Sequence, residues 1–178
     1  GQPENMNVDT TVAHMARIYD YLLGGTNHFA VDREVAEAVT AALPGGIDGA
    51  RANIRANRDF LAWAVRWLAR EQGIRQFLDI GTGIPNADNV LAVAQKAAPE
   101  SRVVCVDYDP VVLAHAHTLL KSTPQGAAAF IAGDLRDPDR ILAGARATLD
   151  LDQPTVLLML GLLYLVPDED DPHGIVHR

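Results

Sequence analysis

Three aspartates carry the chemistry that can be read from this chain. Asp79, Asp107 and Asp134 stand 28 and 27 residues apart, each near the end of a short apolar run. A step of that length holds one strand, one crossover helix and their loops. Side chains at the carboxyl ends of parallel strands border a ligand crevice. Asp79 runs into the turn Gly81-Thr82-Gly83, whose glycines allow a tight bend and let a ligand approach the backbone. The helix after that turn is expected to aim its N-terminus, with free N–H groups, into the crevice. A carboxylate such as Asp107 accepts two hydrogen bonds and donates none, which suits the two hydroxyls of a ribose. Asp134 can accept from an exocyclic amine such as that of adenine. Together the three describe an adenosine-containing ligand lying across three strands.

Each acid also has a plainer reading. Asp79 can be a strand-end acid on a loop, Asp107 a helix cap beside Asp109, and Asp134 a turn residue. NAD, the first rival ligand, is recognised by G-x-G-x-x-G. Here the run is Gly81-Thr82-Gly83-Ile84-Pro85-Asn86, so the third glycine is missing and Pro85 removes a donor. A ligand without a pyrophosphate fits this turn better. S-adenosylmethionine has none, and its ammonium suits Asp79. The other polar residues say less. Cys105 lies in a β-branched run with no base placed near it, so it reads as core. The six histidines show no metal-ligand spacing, and no metal site is expected. His28 is a substrate-contact candidate because it falls in a loop. Asp168-Glu169-Asp170-Asp171 reads as a solvated acidic loop rather than a hard-cation site. Trp63 and Trp67, four apart on one helix, read as packing residues rather than a stacking platform for a ligand.

The elements that must position these residues follow from periodicity and punctuation. Up to about residue 73 the chain reads as helices only. The first covers Val12–Leu23 and stops at Gly24-Gly25. The second is expected to start with Asp32 as N-cap and to bury Val35, Ala36, Val39 and Ala42. The third runs from Asp48 to Gln72 with Ile54, Leu61, Val65 and Leu68 inward. From residue 74 short strands alternate with helices: Gln76–Ile80, Arg102–Val106, Ala128–Ala132 and Thr155–Leu160 are the strands. Asn86 or Asp88 is the expected cap of the helix after the first strand. Asp109-Pro110 and Asp137-Pro138 each pair a capping acid with proline at the first helical position. The fourth strand is apolar at every position after Thr155, so both faces are expected to be buried. Alternating strands and helices with such strands mean an α/β fold with a parallel sheet covered on both sides.

The chain has 178 residues, enough for one domain with its own core. Its net charge of −8 argues against nucleic acid and anionic membrane as partners. A single cysteine excludes an internal disulfide and a Cys-rich zinc site. No apolar run approaches a membrane span, and the first residues lack the pattern of a signal peptide. A cytoplasmic protein is expected.

Phe77-Leu-Asp-Ile-Gly-Thr-Gly83, Val103-Val-Cys-Val-Asp107 and Gly133-Asp134-Leu135 resemble the first three motifs of class I S-adenosylmethionine-dependent methyltransferases. Arg17-Ile-Tyr-Asp-Tyr-Leu-Leu-Gly-Gly25, Asn27-His-Phe-Ala-Val-Asp-Arg33 and Arg55-Ala-Asn-Arg58 narrow the resemblance. They are similar to a bacterial family of proposed S-adenosyl methyltransferases formerly classed as a domain of unknown function. So are Val106-Asp-Tyr-Asp-Pro-Val-Val-Leu113 and Gly133-Asp-Leu-Arg-Asp-Pro138.

The resemblance implies a Rossmann-like sheet for residues 74–178 and a helical lid over the cofactor site for residues 1–73. It implies S-adenosylmethionine as cofactor and methyl transfer to a small-molecule acceptor. Gly81, Thr82 and Gly83 would line its methionine and ribose part, and Asp79 would sit near the ammonium. Asp107 would hold the ribose, with Tyr108 beside it. Asp134 would meet the adenine amine, with the Leu135 backbone along the ring. Tyr19, Asn27, His28 and Arg58 are the lid or substrate-side candidates. A non-catalytic module that binds S-adenosylmethionine or S-adenosylhomocysteine, or a truncated fragment, is the alternative. A nicotinamide-dependent oxidoreductase is the remaining one. Family sheets have seven strands and only four are found here, so the C-terminal strands are expected to be missing. The fourth strand would then form an open edge that invites a second copy or a completing segment.

Overall fold

The computed structural model describes residues 9–86, 88–119 and 121–178. Its centre is a parallel sheet of β1 (Gln76–Ile80), β2 (Arg102–Asp107), β3 (Ala127–Ala132) and β4 (Thr155–Leu158) in the order β3-β2-β1-β4. Among the described residues, three helices precede the sheet: α1 (Met15–Leu23), α2 (Ala30–Thr40) and α3 (Gly46–Arg70). Between and after the strands come α4 (Val90–Ala97), α5 (Pro110–Leu119), α6 (Pro138–Ala145) and α7 (Pro172–His177).

The strands are buried on both faces because their side chains alternate between two cores. Phe77, Val103 and Cys105 point to a core shared with Leu61, Val65 and Ala69 of α3 and Leu91 and Ala94 of α4. Leu78, Ile80, Val104 and Val106 point the other way, onto Ile141 and Ala145 of α6 and onto Leu149. The chain steps outward from β1 to β3, then returns to pair β4 with the other side of β1. Strand order reverses at that point, and a crevice opens above the carboxyl ends. Asp79 is level with Cys105 of β2, and Asp107 is level with Ala132 of β3. The first two acids therefore stand on adjacent strands, with Asp107 two residues further up.

The N-terminal helices are joined by a buried charge. Asp32 is fully buried and accepts the N–H groups of His14 at 2.9 Å and Phe29 at 2.8 Å. The buried Arg17 lies 3.2 Å away through its Nε. Arg17 also donates to the carbonyls of Asp9 and Val12 and lies over the Phe29 ring. Asp32 thus ties the start of α1 to the start of α2.

Several expectations are corrected. Asp32 is not the N-cap of α2 but its third residue, and it reaches back to the backbone of Phe29. The buried stripe of α2 is accordingly Asp32, Ala36 and Thr40, so Val39 and Ala42 face outward. The cap of α4 is neither Asn86 nor Asp88 but Asn89, whose side chain accepts from Ala92 N–H at 3.0 Å. β4 ends at Leu158 rather than Leu160, because its partner β1 turns away toward β2 at Gly81. Only one face of β4 is well covered: Leu158 is buried while Leu157 is 47% exposed. Trp63 and Trp67 pack on each other, on the outer side of α3. The inner row of α3 is Leu61, Val65 and Ala69, and two residues on lies the opposite side. There the two indoles stack at 6.2 Å, 55% and 43% exposed.

Removing one partner of a buried ion pair strands the other. Asp32→Ala is expected to cost about 3–5 kcal/mol in urea denaturation, and Arg17→Ala a comparable amount. The double variant should cost much less than their sum, because neither charge is then left alone. Additive losses would show that the two residues act separately.

Candidate functional site

The turn after β1 is pinned to the end of β2. Gly81 and Thr82 both donate their N–H to the Val106 carbonyl, at 2.8 and 3.1 Å. Gly83 N–H donates to Asp107 Oδ2 at 2.9 Å. Gly81 and Gly83 sit at φ of 72° and 67°, which only glycine adopts freely. A Cβ on Gly83 would meet nothing within 4 Å, so its open side faces the cleft. A Cβ on Gly81 would press on the Leu162 side chain at 3.1 Å.

Above the strand ends lies a cleft of about 700 Å³, a volume suited to a nucleoside-sized ligand. Asp79, Gly81, Thr82, Gly83, Asp107, Tyr108, Asp134 and Leu135 all line it, as do Tyr19 and Arg58 from the helical segment. Asp79 is buried, and Thr82 donates its hydroxyl to Asp79 Oδ2 at 2.6 Å. Burial pushes its carboxyl up to about 6, with Asp107 adding to the shift and Thr82 and Arg58 opposing it. Burial also raises Asp107, against the pull of the Asp109 and Gly83 N–H groups. The Asp109 N–H donates to Asp107 Oδ1 at 3.0 Å. Each Asp107 oxygen keeps a further lone pair for a ligand.

Asp134 differs. It is gripped by Arg136, through Nε to Oδ1 at 3.0 Å and Nη2 to Oδ2 at 2.7 Å, and its carboxyl is held below the usual range. Arg136 also faces Asp170 at 3.6 Å. Tyr108 leaves its ring 57% exposed on the cleft wall. The Cys105 thiol, pushed up to about 12 chiefly by burial, stays protonated in the core.

Two lid candidates lie outside the wall of the cleft. Asn27 donates its N–H to Asp20 Oδ2 at 2.7 Å, in the turn after α1. His28 contacts the Gly25 carbonyl at 3.0 Å and packs its ring edge on Tyr21. The N-terminus of α4 is not in the wall either. The helix begins only after its cap Asn89, and among the described residues between Gly83 and α4 those that line the cleft are Gly83, Ile84 and Asn86. Other wall residues escaped the sequence. His14 Nδ1 lies 2.8 Å from Asp109 Oδ2, joining the start of α1 to the end of β2. Asp109 was legible only as a cap, which it also is, accepting Val111 N–H at 2.8 Å. Tyr164 and Leu162 enter from the segment after β4. No local pattern marks His14 or this segment, since both reach the cleft through tertiary packing.

Residues 1–178 match the family described as S-adenosyl methyltransferase. The chain belongs to that family. No curated protein matches it. Among solved structures it is 48% identical to a DUF574 family protein from Streptomyces avermitilis MA-4680, with a TM-score of 0.89. That match covers 96% of this chain and 64% of the other. It is 38% identical to a proposed methyltransferase from Thermobifida fusca YX, with a TM-score of 0.83 over 99% of this chain and 66% of the other. The chain therefore spans about two thirds of the length of these relatives. The family takes S-adenosylmethionine as cofactor, and the fold is the Rossmann-like one expected from the sequence.

A carboxyl raised to about 6 binds its proton more tightly folded than unfolded. Asp79 therefore adds nothing adverse below about pH 4 and lowers stability as pH rises toward 6. Asp79→Asn is expected to stabilise the ligand-free protein at pH 7 by roughly 1–3 kcal/mol. The gain should vanish near pH 4, as read by thermal unfolding across pH. A gain independent of pH would remove burial of the charge as its cause.

Proposed function

We propose that the cleft binds S-adenosylmethionine and that the protein transfers its methyl group to a small-molecule acceptor. The observation that supports this reading best is how the turn spends its donors. A phosphate-binding turn offers consecutive N–H groups to the anion. Here Gly81, Thr82 and Gly83 give theirs to Val106 and Asp107. Two buried carboxylates on the same wall repel a pyrophosphate and attract a cation. A cationic, phosphate-free nucleoside suits this wall, and NAD does not. The residues fit S-adenosylmethionine: a glycine open to the cleft, a carboxylate with lone pairs to spare, and an exposed aromatic face.

In this reading Asp107 accepts the ribose hydroxyls, and the Tyr108 ring offers a stacking face to the adenine. Asp134, oriented by Arg136, accepts from the adenine amine, with Leu135 beside it. Asp79 faces the ammonium. Bound cofactor supplies an electrophilic methyl on a sulfonium. The chain's task is to orient it, exclude water and admit an acceptor in line. The helices of residues 1–73 act as a lid over the core of residues 74–178. Tyr19, Leu162 and Tyr164 would form the acceptor's side of the mouth. The protein would work in the cytoplasm, with the edge of β4 covered by further chain or a second copy.

Calorimetry with S-adenosylhomocysteine and NAD in parallel tests the reading. Binding of the first and not the second is expected. Asp107→Ala should weaken S-adenosylhomocysteine by roughly 1–3 kcal/mol. Undiminished affinity in the folded variant would falsify the ribose assignment.

A further inference from the structure

Among the described residues, Arg58 is the arginine of the cleft wall without a partner. In the same wall His14 is matched to Asp109, and Arg136 to Asp134. Arg58 lies in the cleft wall, and its buried Nε has no hydrogen-bond partner among the described residues. Asp79 feels its charge, yet no ion pair joins the two among the described residues. A carboxylate and a guanidinium are thus held apart in one cleft. A buried guanidinium N–H with no acceptor is costly. Its complement is an anion that reaches the wall from within the cleft.

The ligand proposed above carries such an anion. Its amino-acid end is a zwitterion, with an ammonium and a carboxylate on one carbon. Near Asp79 and Asp107 that carboxylate would be repelled unless a cation stood beside it. Resting on the cofactor reading, we propose that Arg58 of α3 receives the α-carboxylate of the cofactor's amino-acid moiety while Asp79 receives its ammonium. A planar fork of donors suits a carboxylate. The helical segment then does more than cover the cleft. It supplies half of an amino-acid receptor, and the Rossmann-like core supplies the other half.

The experiment compares two ligands that share the nucleoside and differ at this end. S-adenosylhomocysteine has the amino acid, and 5′-methylthioadenosine lacks it. In calorimetry on the 178-residue chain, the wild type is expected to bind S-adenosylhomocysteine the more tightly. Arg58→Gln should weaken S-adenosylhomocysteine by about 10- to 100-fold. It should leave 5′-methylthioadenosine within about twofold, the spread of an untouched contact. Arg58→Lys, which keeps the charge but not the fork, should recover part of the loss. Equal losses for both ligands, or no loss for S-adenosylhomocysteine, would overturn the assignment and leave the cofactor reading standing. A wild type that binds neither ligand overturns the cofactor reading and this one with it.

Discussion

The carbonyl oxygen of Val106 accepts two N–H groups, from Gly81 and Thr82, and the cleft depends on this forked contact. It bends the chain sharply after β1 and draws the turn over β2. Gly83 is then close enough to donate to Asp107. Positive φ at Gly81 and Gly83 makes the bend accessible. The same bend ends the pairing of β1 with β4, so the segment after Leu158 is free to swing across the cleft mouth. The two acids, the open face of Gly83 and the wall from Leu162 follow from one backbone arrangement.

Electrostatics then divides the strand-end acids by role. Asp79 is dry and close to losing its charge, whereas Asp134 is wet, paired and firmly ionised. A buried, raised carboxyl is a stability cost in the empty protein that a ligand's cation can relieve. A carboxylate already clamped by arginine has less to gain from a further donor. The three aspartates look alike in sequence and are unlike in the fold.

Much of this was legible residue by residue. The β-branched runs and the near-equal steps between the acids describe parallel strands. Asp109 and Asp137 announce their helices, and each side chain accepts from the first turn. The errors share a cause, which is that local pattern cannot see a partner far along the chain. Asp32 looked like a cap because its buried partner, Arg17, lies in another helix. Val39 looked inward because the inward stripe of α2 is partly polar. His14 carries no local signal, since its place in the wall is set by Asp109 nearly a hundred residues on.

Both tryptophans of the chain stand outside the cleft wall, stacked on the outer side of α3. Their emission therefore comes from two partly wet indoles on one helix that also carries Arg58 inside. A ligand entering the cleft touches neither ring. Fluorescence would change only if α3 shifts as a body against its surroundings, so the intrinsic signal gauges the posture of that helix rather than occupancy of the site.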